Sequence, residues 1–142
     1  MIKCGKVFML DDDKFRLDMY ATFLRKYGID VFATDNTYKM ILYAKEINPN
    51  VIVLDVNMVH GWQILEYIRS KEMLKNIPIV MFADVKDVSK LITMGISNFL
   101  LKPVEPIKLL EMITAYCNMV DNYDVLWLDK MKNVLPKEVF IK

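Results

Sequence analysis

Three separated pieces of this chain carry residues that could handle a phosphoryl group. Leu10-Asp11-Asp12-Asp13 crowds three acids together. Val51-Ile52-Val53-Leu54-Asp55 ends an apolar run on one acid, and Phe99-Leu100-Leu101 leads into Lys102-Pro103. Carboxylates ~4 Å apart repel by roughly 4 kcal/mol at an effective dielectric near 20. A hard divalent cation relieves that repulsion, and Mg²⁺ commonly binds one or two carboxylates together with phosphate oxygens. A lysine nearby supplies a mobile point charge for phosphate. A carboxylate such as that of Asp55 can itself become an aspartyl phosphate. Phosphoryl transfer asks mainly for positioning and charge neutralisation.

The elements that must position these residues are legible as apolar periodicity. Val7–Leu10, Ile29–Ala33, Val51–Leu54, Ile79–Phe82 and Phe99–Leu101 read as short buried strands. Lys14–Tyr27 is amphipathic, with Met19, Tyr20, Phe23, Leu24 and Tyr27 on one face, and Gly28 closes it. Further helices are predicted over Tyr38–Ile47, Trp62–Arg69, Val88–Met94 and Pro106–Asn118. Asp13, before Lys14, is placed to cap the first helix. Strands alternating with helices predict an α/β fold with a parallel sheet covered on both faces. In such sheets ligands bind at the carboxyl ends of the strands, where the charged residues fall.

Composition narrows the function. The chain has 142 residues, is 54% hydrophobic and carries a formal net charge of +1. That fits one domain with a full core and leaves no basic footprint for nucleic acid or membrane. Cys4 and Cys117 make no metal or redox spacing and read as free thiols. No signal peptide and no uncharged apolar run of about 20 residues is visible, so a cytoplasmic protein is expected. One domain over 1–118 is predicted, followed by a C-terminal extension over 119–142. That extension is expected to form a short helix and tail, and its segment Tyr123–Leu135, which carries Val125, Leu126, Trp127, Leu128, Met131 and Leu135, is expected to dock on the domain or on a second subunit.

The order strand–Asp11-Asp12, strand–Asp55-x-Asn57-Met58, then Gly95-x-x-x-Phe99-x-x-Lys102-Pro103 resembles the receiver domain of two-component response regulators, over about Lys6 to Asn118. The resemblance implies a flavodoxin-like (CheY-like) five-stranded sheet in the order 2-1-3-4-5. It implies that Asp55 is the phosphoacceptor and that Mg²⁺ is the cofactor. Asp12 and Asp55 would bind the metal directly, Asp11 through water, and Asn57 through its backbone carbonyl. Lys102 would pair with the phosphoryl group, Phe99 takes the aromatic switch position, and Lys102-Pro103 is a cis-peptide candidate. Partners would be a histidine kinase or phosphotransfer protein and a downstream protein of unknown identity, with a homodimer left open.

Three departures from that family bear on switching. Ala83 stands where the fourth strand usually ends in Thr or Ser, so a hydrogen bond to the phosphoryl group, worth about 1.5–3 kcal/mol, is lost. The loop Met58-Val59-His60-Gly61 is about two residues short and lacks the usual proline. The segment from Ala83 to Gly95 is about three residues short. These departures support an alternative: a phosphorylation-independent pseudo-receiver that serves as a constitutive protein-binding module. A third reading, a phosphatase of the haloacid-dehalogenase type, starts from Asp11-x-Asp13. It lacks the expected follow-up, because Lys14-Phe15 comes next and no acidic pair closes a late strand. With no output domain recognisable in the sequence, signalling by protein–protein contact is expected, and no enzyme activity beyond self-phosphorylation and autodephosphorylation.

Overall fold

The structure is a computed structural model that describes residues 6–36 and 41–120, the last four of them as backbone only. The predicted extension over 119–142 lies outside the described residues apart from the end of the last helix. In chain order the strands are β1 (Lys6–Leu10), β2 (Asp30–Thr34), β3 (Val51–Asp55), β4 (Ile79–Ala83) and β5 (Phe99–Leu101). The helices are α1 (Lys14–Lys26), α2 (Ala44–Ile47), α3 (Gly61–Ser70), α4 (Val88–Thr93) and α5 (Pro106–Val120). All pairings are parallel, and the sheet runs β2-β1-β3-β4-β5.

Alternation along each strand divides the core in two. Val7, Met9, Val51, Val53, Val80 and Phe82 pack against Leu17, Tyr20 and Leu24 of α1 and Leu109, Leu110 and Ile113 of α5. Their neighbours Phe8, Leu10, Ile52, Leu54, Ile79 and Met81 pack on the opposite face, against Ile64, Leu65 and Ile68 of α3 and Leu91 of α4. A period of two in each strand therefore feeds both layers. Every residue of β3 and β4 is buried, as expected for central strands with helices on both sides.

Element ends follow from local chemistry. Asp13 caps α1 by accepting the Arg16 backbone N–H at 3.1 Å. At the other end Gly28, at φ +82°, donates to the Arg25 carbonyl, and Ile29 N–H turns back to Leu24. This paired closure is the glycine-ended helix stop. It consumes Ile29, so β2 starts one residue later than the periodicity predicts. The predicted helix over Tyr38–Ile47 is also shorter: a 3₁₀ turn, Ile41–Tyr43, runs into the four-residue α2, and residues 37–40 lie outside the described residues. Among the described residues of this stretch Ile41 and Ala44 are buried in the core, Ile47 packs against it partly buried, and Asn48 ends it at φ +52°.

Candidate functional site

The carboxyl ends of β1, β3 and β5 lie along one edge of the sheet, β1 beside β3 and β5 one strand further on across β4, and Asp11, Asp55 and Lys102 converge there. Asp11 and Asp55 are buried, at 4% and 1% exposure. Lys102 Nζ lies 3.0 Å from both oxygens of Asp55. The end of β5 is fixed by Lys102 N–H donating to the Ala83 carbonyl at 2.9 Å. The Lys102–Pro103 peptide bond is cis. Tyr20 of α1 donates its hydroxyl to the Val104 carbonyl, tying the segment beyond that bond to α1.

Asp12 points elsewhere. It is exposed, and its Oδ2 accepts the Val59 N–H at 3.0 Å, bracing the loop after β3. That loop is tight. His60 adopts φ +62°. A Cβ on Gly61 would stand 2.4 Å from the Val56 carbonyl oxygen and 2.8 Å from that of Asp55, so only glycine lets α3 start this close to the strand. Asn57 N–H donates to Asp55 Oδ1 at 2.9 Å. Its side-chain amide turns the other way and donates to Asp84 at 2.9 Å and to Asp87 at 3.0 Å. Ala83 is fully buried beside this group, and Phe99 is partly buried against the α3–α4 layer.

One residue at the centre was not singled out by sequence reasoning. Arg16, in the first turn of α1, places Nε 2.6 Å from Asp11 Oδ2 and Nη2 2.8 Å from Asp11 Oδ1. The same Nη2 lies 2.9 Å from Asp55 Oδ2. Helical side chains lean toward the helix N-terminus, so this long side chain reaches back over the sheet edge. Hydrogen bonding to Asp11 raises the guanidinium's pKa above its ordinary value; desolvation opposes this, and the charges of Asp11, Asp55 and Asp13 add to it. A signal was available. A cation in a helix's first turn faces the unfavourable end of the macrodipole, so it needs local acids to justify it. Asp84 and Asp87 were missed as well, and their i, i+3 spacing at a helix start was the available cue.

Asp55 thus accepts from Asn57 N–H, Lys102 and Arg16 at once. Asp11 and Asp55 offer oxygen ligands of the kind that suit a hard divalent cation, while no group of three or more Asp, Glu, His or Cys able to hold a metal ion stands together among the described residues. Arg16 Nη2 stands between these two carboxylates as a cation would, so the guanidinium holds the place that Mg²⁺ would take.

A parallel sheet in this order, with buried acids and a lysine gathered at its carboxyl edge, defines a receiver-type signalling domain. The family model for the response regulator receiver domain matches residues 7–114, and the chain belongs to that family. It is 31% identical over 124 residues to a probable transcriptional regulator ycf27 of Galdieria sulphuraria, covering 83% of this chain and 47% of that protein. It is 21% identical over 115 residues to the polar-differentiation response regulator DivK of Brucella anthropi, covering 78% of this chain and 94% of that protein. The chain thus spans about half the length of the first relative and nearly all of the second. Among solved structures, the chemotaxis protein CheY4 of Vibrio cholerae shares the fold at a TM-score of 0.70 and 24% identity, covering 79% of this chain and 98% of that one. A response regulator from Desulfuromonas acetoxidans matches at a TM-score of 0.71 and 21% identity, covering 82% of this chain and 98% of that one. Among the described residues no helix is long and apolar enough to cross a membrane.

Proposed function

We propose that this receiver domain accepts a phosphoryl group on Asp55 and signals from the cytoplasm by contact with another protein. The observation that carries the reading is the Asp55 carboxylate. It closes a central strand, is 1% exposed, and has the Lys102 ammonium 3.0 Å from both oxygens. A histidine kinase or phosphotransfer protein would be the donor. An Asp55 oxygen forms the new O–P bond, the donor's P–N bond breaks, and its electron pair returns to the imidazole nitrogen. Lys102 then pairs with a phosphoryl oxygen as a point charge. The Asn57 N–H holds the other Asp55 oxygen and keeps the carboxylate oriented.

Asp12 and Asp55 would hold Mg²⁺ directly, Asp11 through water, and Asn57 through its backbone carbonyl. When bound, Mg²⁺ supplies charge neutralisation for the acids and the transferring group. Intact mass after incubation with acetyl phosphate and Mg²⁺ tests the reading. Wild type should gain one phosphoryl group and Asp55→Asn should gain none. If wild type gains none from small donors or any kinase, the domain is a constitutive binding module. The buried methyl of Ala83, which offers no hydrogen bond to a phosphoryl oxygen, is the observation that favours that second reading.

A further inference from the structure

Arg16 holds the two most buried acids of the site in a way that the phosphoacceptor reading does not use. Its guanidinium lies bidentate on Asp11, at 2.6 and 2.8 Å, and Nη2 continues to Asp55 Oδ2 at 2.9 Å. Planar guanidinium matches carboxylate geometry and forms charge-assisted bonds stronger than neutral ones. Arg16 and Lys102 supply two positive charges against the two negative charges of Asp11 and Asp55. These four groups are neutral together before any metal arrives, and the carboxylate oxygen nearest Arg16 is already a hydrogen-bond acceptor.

We infer that Arg16 and Mg²⁺ are mutually exclusive occupants of the space between Asp11 and Asp55, so that the arginine acts as an internal counter-cation which the metal must displace before Asp55 is free to react. The inference rests on the site reading above, but concerns cation binding alone. Mg²⁺ takes oxygen ligands at about 2.0–2.1 Å in near-octahedral geometry. A guanidinium nitrogen at hydrogen-bond distance from the same two carboxylates leaves no room for that shell, and like charge repels. Arg16 is about a third exposed, with 30% of its side chain open to solvent. It therefore has a path outward along α1, whereas Asp11 and Asp55 have none. Asp12, bound to Val59 N–H rather than to a cation, is the carboxylate left to complete a metal site once Arg16 leaves.

The test uses the full chain without any phosphodonor, so it does not depend on whether Asp55 is ever phosphorylated. Mg²⁺ binding is measured by titration calorimetry for wild type, Arg16→Met and Arg16→Lys. Arg16→Met should bind Mg²⁺ about tenfold more tightly than wild type, the change expected from releasing one charge-assisted hydrogen bond. Arg16→Lys should fall between them. A gain below threefold for Arg16→Met overturns the inference. Should that variant fail to fold, wild type decides alone, through the Arg16 Nε–H signal in a nitrogen-15 correlation spectrum. Saturating Mg²⁺ should move it to the position and exchange rate of a solvent-exposed arginine. An Arg16 Nε–H that stays put while the Asp12 and Asp55 amides respond to Mg²⁺ also overturns it.

Discussion

Asn57 Nδ2 donates to the buried Asp87 carboxylate at 3.0 Å, joining the loop that leaves β3 to the turn that leaves β4. The same nitrogen reaches Asp84 at 2.9 Å, and Asp87 also accepts the Asp84 N–H at 3.1 Å. Both shortened segments of the chain therefore meet in one small network. It adjoins Asp55 through the Asn57 N–H.

Asn57→Ala should destabilise the domain by about 2 kcal/mol, because hydrogen bonds to carboxylates are worth about 1.5–3 kcal/mol each and Asp87 stays buried. Denaturant unfolding measures the loss. Amide exchange should rise in Val85–Thr93 more than in the strands. Uniform exchange across the domain would show that the network does not hold that turn.

Gly61→Ala should cost more than an ordinary helix glycine, where alanine normally gains stability. Its Cβ would meet the Val56 carbonyl oxygen at 2.4 Å, and backbone cannot yield cheaply. A lower melting temperature with a shifted Asn57 amide resonance is expected. An unchanged or raised melting temperature would mean that the loop relaxes freely.

Restoring a hydroxyl at Ala83 should strengthen the response to a phosphoryl mimic. About 2 kcal/mol of differential contact corresponds to a roughly thirtyfold population shift. Ala83 is fully buried, so Ala83→Ser is the milder test and Ala83→Thr adds overpacking, typically about 1–3 kcal/mol. Amide shift changes on adding the mimic should be larger in Ala83→Ser than in wild type, and equal changes would refute this.

Tyr116 and Tyr20 should make the domain alkali-sensitive. Burial pushes both phenols up; for Tyr20 the charge of Arg16 opposes this and that of Asp11 adds to it. Raised folded-state values favour the neutral phenol. Their contribution is therefore complete below about pH 10, the unfolded value, and is lost as pH rises through the folded values. The Tyr116 hydroxyl is buried and finds no hydrogen-bond partner among the described residues. Tyr116→Phe should therefore keep or raise the melting temperature at neutral pH and flatten its alkaline decline. Tyr20→Phe loses the bond to the Val104 carbonyl and should lower it by roughly 0.5–1.5 kcal/mol of stability. Thermal melts from pH 7 to 11 check both, and a neutral-pH drop for Tyr116→Phe would refute the first.

By itself the sequence determined the frame. Apolar runs such as Val7–Leu10 and Val51–Leu54, alternating with helical patterns, read as buried parallel strands, and the acid directly after each, Asp11 or Asp55, emerges at the carboxyl edge. That much places Asp11, Asp55 and Lys102 together, and Asp13 on its cap, because strand period and helix capping are local properties. Tertiary structure alone decided what completes their surroundings. Arg16 looks like one more polar residue of an amphipathic helix until β1 and β3 set Asp11 and Asp55 within one side chain's reach. Asn57, Asp84 and Asp87 are polar loop residues until two shortened loops bring them into contact. Periodicity reports which face a residue takes, but not the rotamer of a long side chain or the width of a gap between loops. At this sheet edge those two quantities set the hydrogen bonds that Asp55 accepts.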